Sequence, residues 1–185
     1  MKFLSIGLDL SICNTGVAII ERDGETEKST TYLVKSKPPQ EKTHAAEAIR
    51  LLKISADVMA IVEKYDIKKS KTLFTIEGFA FHERNSSSLL QLAGLGYLIR
   101  VFLAEHLHSF VVVQPTTLKK FITGKGNAPK DNVMLDILQR YQKYITDNNE
   151  ADAYVLSRIG MDLMISPLDI PKYQKEVLDL LKTQL

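Results

Sequence analysis

The order in which strand and helix patterns follow one another constrains this fold more than any other feature of the sequence. Residues 3–10 alternate between apolar side chains and small or polar ones, which is the period of a half-buried strand. Two further strands are predicted at Gly16–Glu21 and Thr30–Lys35, with turn residues between them. Three strands joined by short turns predict a meander at the start of the chain.

Beyond Pro38-Pro39 the patterns alternate between helix and strand. A 3.6-residue period predicts a helix over residues 42–65, and alternation predicts a fourth strand at Thr72–Glu77. The later elements are expected to be a helix from residues 86–88 to 106, a strand at Phe110–Val113, helices over 115–121, 131–144 and 149–164, and a short terminal helix. The sequence therefore predicts an α/β fold with a mixed five-stranded sheet flanked by helices.

Composition excludes several kinds of protein. The chain has 185 residues, of which 45% are hydrophobic and 25% are charged, and this fits one ordinary globular domain. Cys13 is the single cysteine, so we expect neither an internal disulfide nor a cysteine-based zinc site, and we expect a reducing, cytoplasmic location. No run of about 18 apolar residues is expected to span a membrane.

Three acidic residues stand at the ends of predicted elements: Asp9 on the first strand, Glu77 on the fourth, and Asp152 in the first turn of the last core helix. If the first and fourth strands are neighbours, Asp9 and Glu77 share one face and one end, and the helix could add Asp152. Clustered carboxylates repel one another unless cations neutralise them, and Mg²⁺ prefers such oxygen ligands. From pattern alone, however, the first two could simply end strands, and Asp152 could simply favour a helix start.

The segment from Lys119 to Lys130 carries four lysines and no acid. A local charge of +4 favours a contact with phosphate, although charge runs are often only solvated faces. The glycine spacing in this segment does not match a P-loop.

Four segments, in this order, resemble the motifs of RuvC-type Holliday-junction resolvases of the ribonuclease H-like superfamily. They are IGLDLSICNTGVAII, FTIEGFAFHERNSSS, QPTTLKKFITGKGNAPKDNV and NNEADAYVLSRIG. The resemblance covers roughly residues 3–165. It predicts a nuclease domain over residues 1–165 with the ribonuclease H-like fold, followed by a C-terminal helical tail over residues 166–185, and a phage-type member is one possibility.

The resemblance implies a Mg²⁺-dependent endodeoxyribonuclease that acts as a homodimer and makes paired nicks across four-way DNA junctions. Two Mg²⁺ ions would take part, with Mn²⁺ as a substitute. By the motif positions, Asp9, Glu77 and Asp152 would be the catalytic, metal-binding acids, and Lys119 and Lys130 would be catalytic lysines near the scissile phosphate.

This sequence departs from the family's pattern at one position, and further residues are expected to contact DNA. The family usually has an acid three residues before the last aspartate; here Asn149 stands in that position, so we expect Asn149 as the fourth metal ligand, with Glu150 as the alternative. The expected DNA-binding residues are Lys119, Lys120, Lys125, Lys130, Phe79, Phe81, Arg84 and Asn85.

Two other functions remain open at this point. The first motif also resembles the phosphate-binding hairpin of sugar kinases and related ASKHA-type ATPases, of which this chain would be a fragment, since those proteins need two such domains. The second alternative is a non-catalytic module that binds branched DNA. We expect a protein of the cytoplasm, in a bacterium or in a phage-infected cell.

Overall fold

The computed structural model describes residues 1–79 and 86–185. The described elements follow one another in the predicted order, with a short 3₁₀ helix at Ile67–Lys69 before the fourth strand. The strands are β1 (Lys2–Asp9), β2 (Asn14–Asp23), β3 (Thr26–Lys35), β4 (Lys71–Glu77) and β5 (Phe110–Val113). The helices are α1 (His44–Val62), α2 (Ser86–Glu105), α3 (Pro115–Thr123), α4 (Lys130–Tyr141), α5 (Asn148–Ile165) and α6 (Lys172–Lys182).

The strands form one mixed sheet in the order β3-β2-β1-β4-β5, which confirms the predicted architecture. β1, β2 and β3 are antiparallel neighbours and make the meander. β4 lies parallel to β1, and β5 lies parallel to β4, because helical crossovers return the chain to the same end of the sheet. The carboxyl ends of β1, β3, β4 and β5 therefore lie at one edge.

Each face of the sheet is covered by helices. The alternation in β1 places Leu4, Ile6 and Leu8 in a core with α1 and α2. The opposite face of the sheet packs against α5, with α3, α4 and α6 completing that layer. The intervening residues of β1, Ser5 and Gly7, lie against α5, and they are small enough to let the helix approach closely.

Among the described helices, α2 is long and apolar enough by length and composition alone to cross a membrane, with a mean hydropathy of 1.3 over residues 88–105. Gln91, Arg100 and Glu105 interrupt its apolar residues, so it is not the uninterrupted apolar run that would predict a membrane span. Its buried side chains Leu95, Ile99 and Leu103 belong to the core beneath α1 and α2. These contacts are those of a helix packed inside a globular fold.

Two helix boundaries bear on the later sections. Helix α4 ends at Tyr141, and not near residue 144, because Gln142 takes a left-handed conformation with φ of 52° and caps the helix. Helix α6 buries Val177, Leu178 and Leu181 in the core shared with α3 and α5. The division into a domain over residues 1–165 and a tail over 166–185 stays a prediction.

Candidate active site

Asp9 and Glu77 end neighbouring parallel strands. The register pairs Leu8 of β1 with Ile76 of β4, so the next residue on each strand is an acid. Both acids follow the alternation onto the face that α5 covers, as their strand neighbours Gly7 and Thr75 do. Asp9 is only 5% exposed. The expectation that these two strands are adjacent is thereby confirmed.

Helix α5 brings Asp152 to the same end of the sheet. Two glycines set this approach: a Cβ on Gly7 would lie 2.0 Å from the Ala153 carbonyl oxygen, and one on Gly16 would lie 2.1 Å from the Asn149 carbonyl oxygen. The helix starts where it does because the Asp147 side chain caps it, accepting hydrogen bonds from the backbone N–H groups of the second and third helical residues. The first turns of α5 therefore lie directly over β1 and β2.

The electrostatics of the site show that the three acids are close to one another. Burial raises the pKa of the Asp9 carboxyl well above its usual 3.8, and a hydrogen bond with Glu77 and repulsion by Glu77 and Asp152 raise it further. Burial, with repulsion by Glu77, raises the pKa of Asp152 to about 6. None of the three carboxylates forms a salt bridge with a basic side chain in residues 1–79 and 86–185. Within the described residues, the charges of these acids are therefore only partly compensated.

Two of the predicted lysines lie beside these acids. Lys130, the first residue of α4, lowers the pKa values of both Asp9 and Asp152, and Lys119 of α3 lowers that of Asp152. The short helix α3 is set by Pro115 in its first turn and by Gly124, which ends it with φ of 79°. The acids and lysines together form a site with negative charge at its base and positive charge on its rim.

The other two lysines of the basic segment take different positions. The Lys120 ammonium lies 2.8 Å from a Glu176 carboxylate oxygen of α6, so an acid of the same chain already neutralises it. Lys125 is exposed in the loop between α3 and α4. The four lysines are therefore not equivalent.

The start of α5 separates Asn149 from Glu150. The Thr31 hydroxyl of β3 donates a 2.5 Å hydrogen bond to a Glu150 carboxylate oxygen, so this side chain points away from β1 toward the sheet edge. Asn149 and Asp152 are three residues apart on the helix and share a face. The helix begins one residue earlier than expected, at Asn148, and this shift does not change their relative orientation.

Four residues of the loop after Glu77 were expected to bind DNA. Phe79 belongs to the described part of the chain, and Phe81, Arg84 and Asn85 lie outside it. The Phe79 ring packs on α2, with the Arg100 guanidinium carbon 4.8 Å from its centroid and the Tyr97 ring 6.4 Å away. Gly96 makes room for it, because a Cβ there would lie 2.5 Å from the ring. The ring is half-buried against the chain's own helix.

Gln114 lies beside the residue that follows Glu77, and the sequence reasoning did not single it out. It precedes α3, and its side-chain amide nitrogen lies 2.8 Å from the Cβ position of Gly78, the residue after Glu77. Gly78 in turn donates its N–H to the Val113 carbonyl at 2.7 Å. A single polar residue before a proline is not a recognisable sequence motif. Gln114 is brought next to Gly78 because β4 pairs with β5, and this pairing is seen only in the structure.

The donor set fits a divalent cation chemically. Buried carboxylates that repel one another are stabilised by a hard cation with oxygen ligands. The described residues do not contain three His, Cys, Asp or Glu side chains already gathered around a single point where a metal ion could sit. The charge pattern, and not a preformed ligand cage, is therefore what indicates a cation site.

Comparison with known proteins gives a consistent result. A family model described as "Crossover junction endodeoxyribonuclease RuvC" matches residues 5–158. A curated relative from Rickettsia bellii (strain OSU 85-389), named crossover junction endodeoxyribonuclease RuvC, is 25% identical over 155 residues, which cover 82% of this chain and 92% of that protein.

Two solved structures from Thermus thermophilus are similar to this chain. The RuvC structure has a TM-score of 0.61 at 19% identity and covers 85% of this chain and 91% of its own. RuvC in complex with a Holliday junction substrate has a TM-score of 0.64 at 16% identity and covers 84% of this chain and 90% of its own. This likeness confirms the predicted ribonuclease H-like fold.

Proposed function

Since the chain belongs to the RuvC family of crossover junction endodeoxyribonucleases, we propose that it nicks four-way DNA junctions as a structure-selective endonuclease. The observation that carries the proposal is the convergence of Asp9, Glu77 and Asp152 with Lys119 and Lys130 at one edge of the sheet. Acids that form no salt bridge with the described basic side chains, next to cations, suit a reaction at a phosphodiester, where negative charge develops during bond cleavage.

Members of this family depend on divalent cations, and we assign two Mg²⁺ ions to this site, with Mn²⁺ as a substitute. Asp9, Glu77 and Asp152 would hold them, with Asn149 as the fourth ligand and Glu150 as the alternative. The geometry favours Asn149, because the Glu150 carboxylate is engaged by Thr31. When bound, two such ions activate the attacking water and stabilise the leaving oxygen of a phosphodiester.

The protein's own residues have distinct tasks in this scheme. Asp9 is fixed on a central strand and buried, so it holds its position while substrate enters. Lys119 and Lys130 place positive charge beside the acids, where it can stabilise the phosphate as charge builds up. Lys120 and Lys125 lie further out, and a contact between Lys120 and DNA would compete with its salt bridge to Glu176.

A homodimer accounts for paired cuts, because a two-fold dimer matches the symmetry of a four-way junction. Helix α2 offers a surface for it: Leu90, Tyr97 and Val101 are 73%, 61% and 51% exposed, and their spacing places them on one face. The glycines of this helix are already used within the chain, since Gly94 faces Leu51 and Gly96 faces Phe79.

The two alternative functions have less support. Asp9, Glu77 and Asp152 repel one another at one end of the sheet, and a module that only binds DNA has no need of such a costly cluster. The family match over residues 5–158 is to an endodeoxyribonuclease, which favours nicking of DNA over the phosphotransfer of an ASKHA-type ATPase. We place the protein in the cytoplasm of a bacterial or phage-infected cell, acting on branched DNA.

The test is incubation with a synthetic four-way junction, a Y-fork and a linear duplex, with and without Mg²⁺. Nicking should require the metal and favour the junction. Asp9→Asn and Glu77→Gln should each abolish nicking while junction binding survives, because the lysines supply most of the affinity. Asp169→Asn, an exposed loop substitution with the same charge change, is the matched control and should cut normally. Retention of more than a few per cent of cleavage by either site variant would refute the assignment.

A further inference from the structure

A second basic region lies at the same edge of the sheet but on its other side. The segment that follows β3 and the first half of α1 enclose an open groove of about 610 Å³. Four basic side chains line it and one acid does, Asp57, so the groove carries a formal charge of +3 (four minus one). The basic residues are Lys35, Lys37, Arg50 and Lys53.

The strand registers place this groove close to the acidic site. Asp9 of β1 pairs with Gly16 of β2, which in turn pairs with Leu33 of β3. Adjacent strands are about 4.8 Å apart, so Leu33 lies roughly 10 Å from Asp9 across the sheet. Lys35 follows two residues later, at the edge where β1 also ends. The turn that joins β1 to β2 follows Asp9 and contacts the groove through Arg50.

The lysines of the groove are available for a ligand. Lys35, Lys37 and Lys53 are exposed, and none forms a salt bridge with an acid in the described ranges. They differ in this respect from Lys120, whose charge is taken up by Glu176. An uncompensated +3 groove attracts a polyanion.

Arg50 builds the groove and ties it to the active site. Its Nε donates a 3.0 Å hydrogen bond to the Ser36 hydroxyl, and one of its terminal nitrogens donates to the Ile12 carbonyl. Ile12 belongs to the turn directly after the strand that ends in Asp9. The groove wall is therefore tied to the turn after Asp9 by this bond and by the Ser36 N–H, which donates a 2.8 Å hydrogen bond to the Cys13 carbonyl.

We propose that this groove binds the phosphate backbone of a duplex arm of the same DNA molecule whose junction is cut at the acids. The proposal rests on the proposed function, because it takes that DNA to be already held at Asp9. Duplex DNA presents a phosphate on each strand every 3.4 Å, so a groove beginning roughly 10 Å away reaches phosphates about three or more base pairs from the nick. An arm leaving the active edge thereby continues across the turn onto α1.

The first experiment measures junction affinity against salt for Lys35→Gln/Lys37→Gln/Lys53→Gln in buffer without divalent cations. Arg50 is left unchanged because it holds the turn. For each lysine that contacts a phosphate, its substitution should make the plot of log K against log salt less steep by about 0.9 and should weaken binding about eight-fold at 0.1 M salt. The control is a triple variant with the same charge change at the opposite end of the sheet: Lys28→Gln/Lys68→Gln/Lys71→Gln. It should keep the wild-type slope.

A second experiment shows whether the contact is local. Neutral methylphosphonates are placed on one arm, about three to six base pairs from the exchange point. On this DNA the groove variant should bind with the same affinity as the wild-type chain, because the neutral methylphosphonates have already removed the phosphate charges that the groove lysines would contact. Equal slopes for the groove and control variants would overturn the proposal, and so would additive losses with the neutralised arm. A wild-type chain that neither binds nor nicks junctions would instead refute the proposed function itself.

Discussion

Substitution of Asp152 by asparagine should stabilise the metal-free protein while it removes activity. In the unfolded chain this carboxyl loses its proton near pH 3.8, and in the folded chain its pKa is about 6 because the side chain is buried beside Glu77. Between these values the folded chain holds more protons than the unfolded chain, so stability falls as the pH rises. The rise of the pKa from 3.8 to about 6 corresponds to about 3 kcal/mol of folding stability, which is present below pH 3.8 and lost once the pH exceeds about 6.

Asp152→Asn carries no charge and escapes this cost. Thermal unfolding followed by circular dichroism in EDTA should therefore show a higher Tm for the variant at about pH 7.5, by roughly 6–12 °C for a chain of this size. At about pH 4.5 the gain should fall to about 1 kcal/mol, because most folded wild-type molecules are then protonated at this position. Addition of Mg²⁺ should raise the wild-type Tm and raise that of the variant much less.

Asp162 provides the matched control. It lies on the same helix, ten residues and about 15 Å further along the axis. Burial also raises its pKa to about 6, with Arg158 opposing the shift. Asp162→Asn should show a similar pH-dependent gain in stability but keep the wild-type Mg²⁺ response and nicking. A metal-free Asp152→Asn protein no more stable than wild type at about pH 7.5, or equally stabilised at both pH values, would refute the reasoning.

Three further outcomes are expected. Lys119→Ala and Lys130→Ala should each lower the single-turnover nicking rate more than junction affinity; equal losses in both measurements would reduce these lysines to a general electrostatic surface. Asn149→Asp should lower the Mg²⁺ concentration needed for half-maximal nicking, and Glu150→Gln should have a mild effect. If Glu150→Gln lowers nicking as much as Asp152→Asn does, Glu150 and not Asn149 is the fourth metal ligand. Gly7→Ala should destabilise the fold by several kcal/mol in urea unfolding, since its Cβ would meet the Ala153 carbonyl at 2.0 Å; an unchanged midpoint would contradict the close packing of α5.

The sequence by itself determined the order and type of the elements. Alternation in β1 and the 3.6-residue period of α1 are local signals, since neighbouring residues decide which face is apolar. The same signals placed Asp9 and Glu77 at strand ends, and they became partners once β1 and β4 were adjacent. The four motifs added a family, and with it the fold and the reaction class.

The tertiary structure decided which side chains share the site and which are already engaged elsewhere. Glu150 is held by Thr31 and Lys120 by Glu176, and both partners are distant in sequence. No local pattern encodes such pairings, because they depend on how closely α5 and α6 pack against their neighbours. The basic groove also depends on tertiary packing, because Arg50 of α1 joins it to the turn that follows Asp9. Periodicity reports the environment of each residue, whereas a site requires distances between residues that only the packed chain fixes.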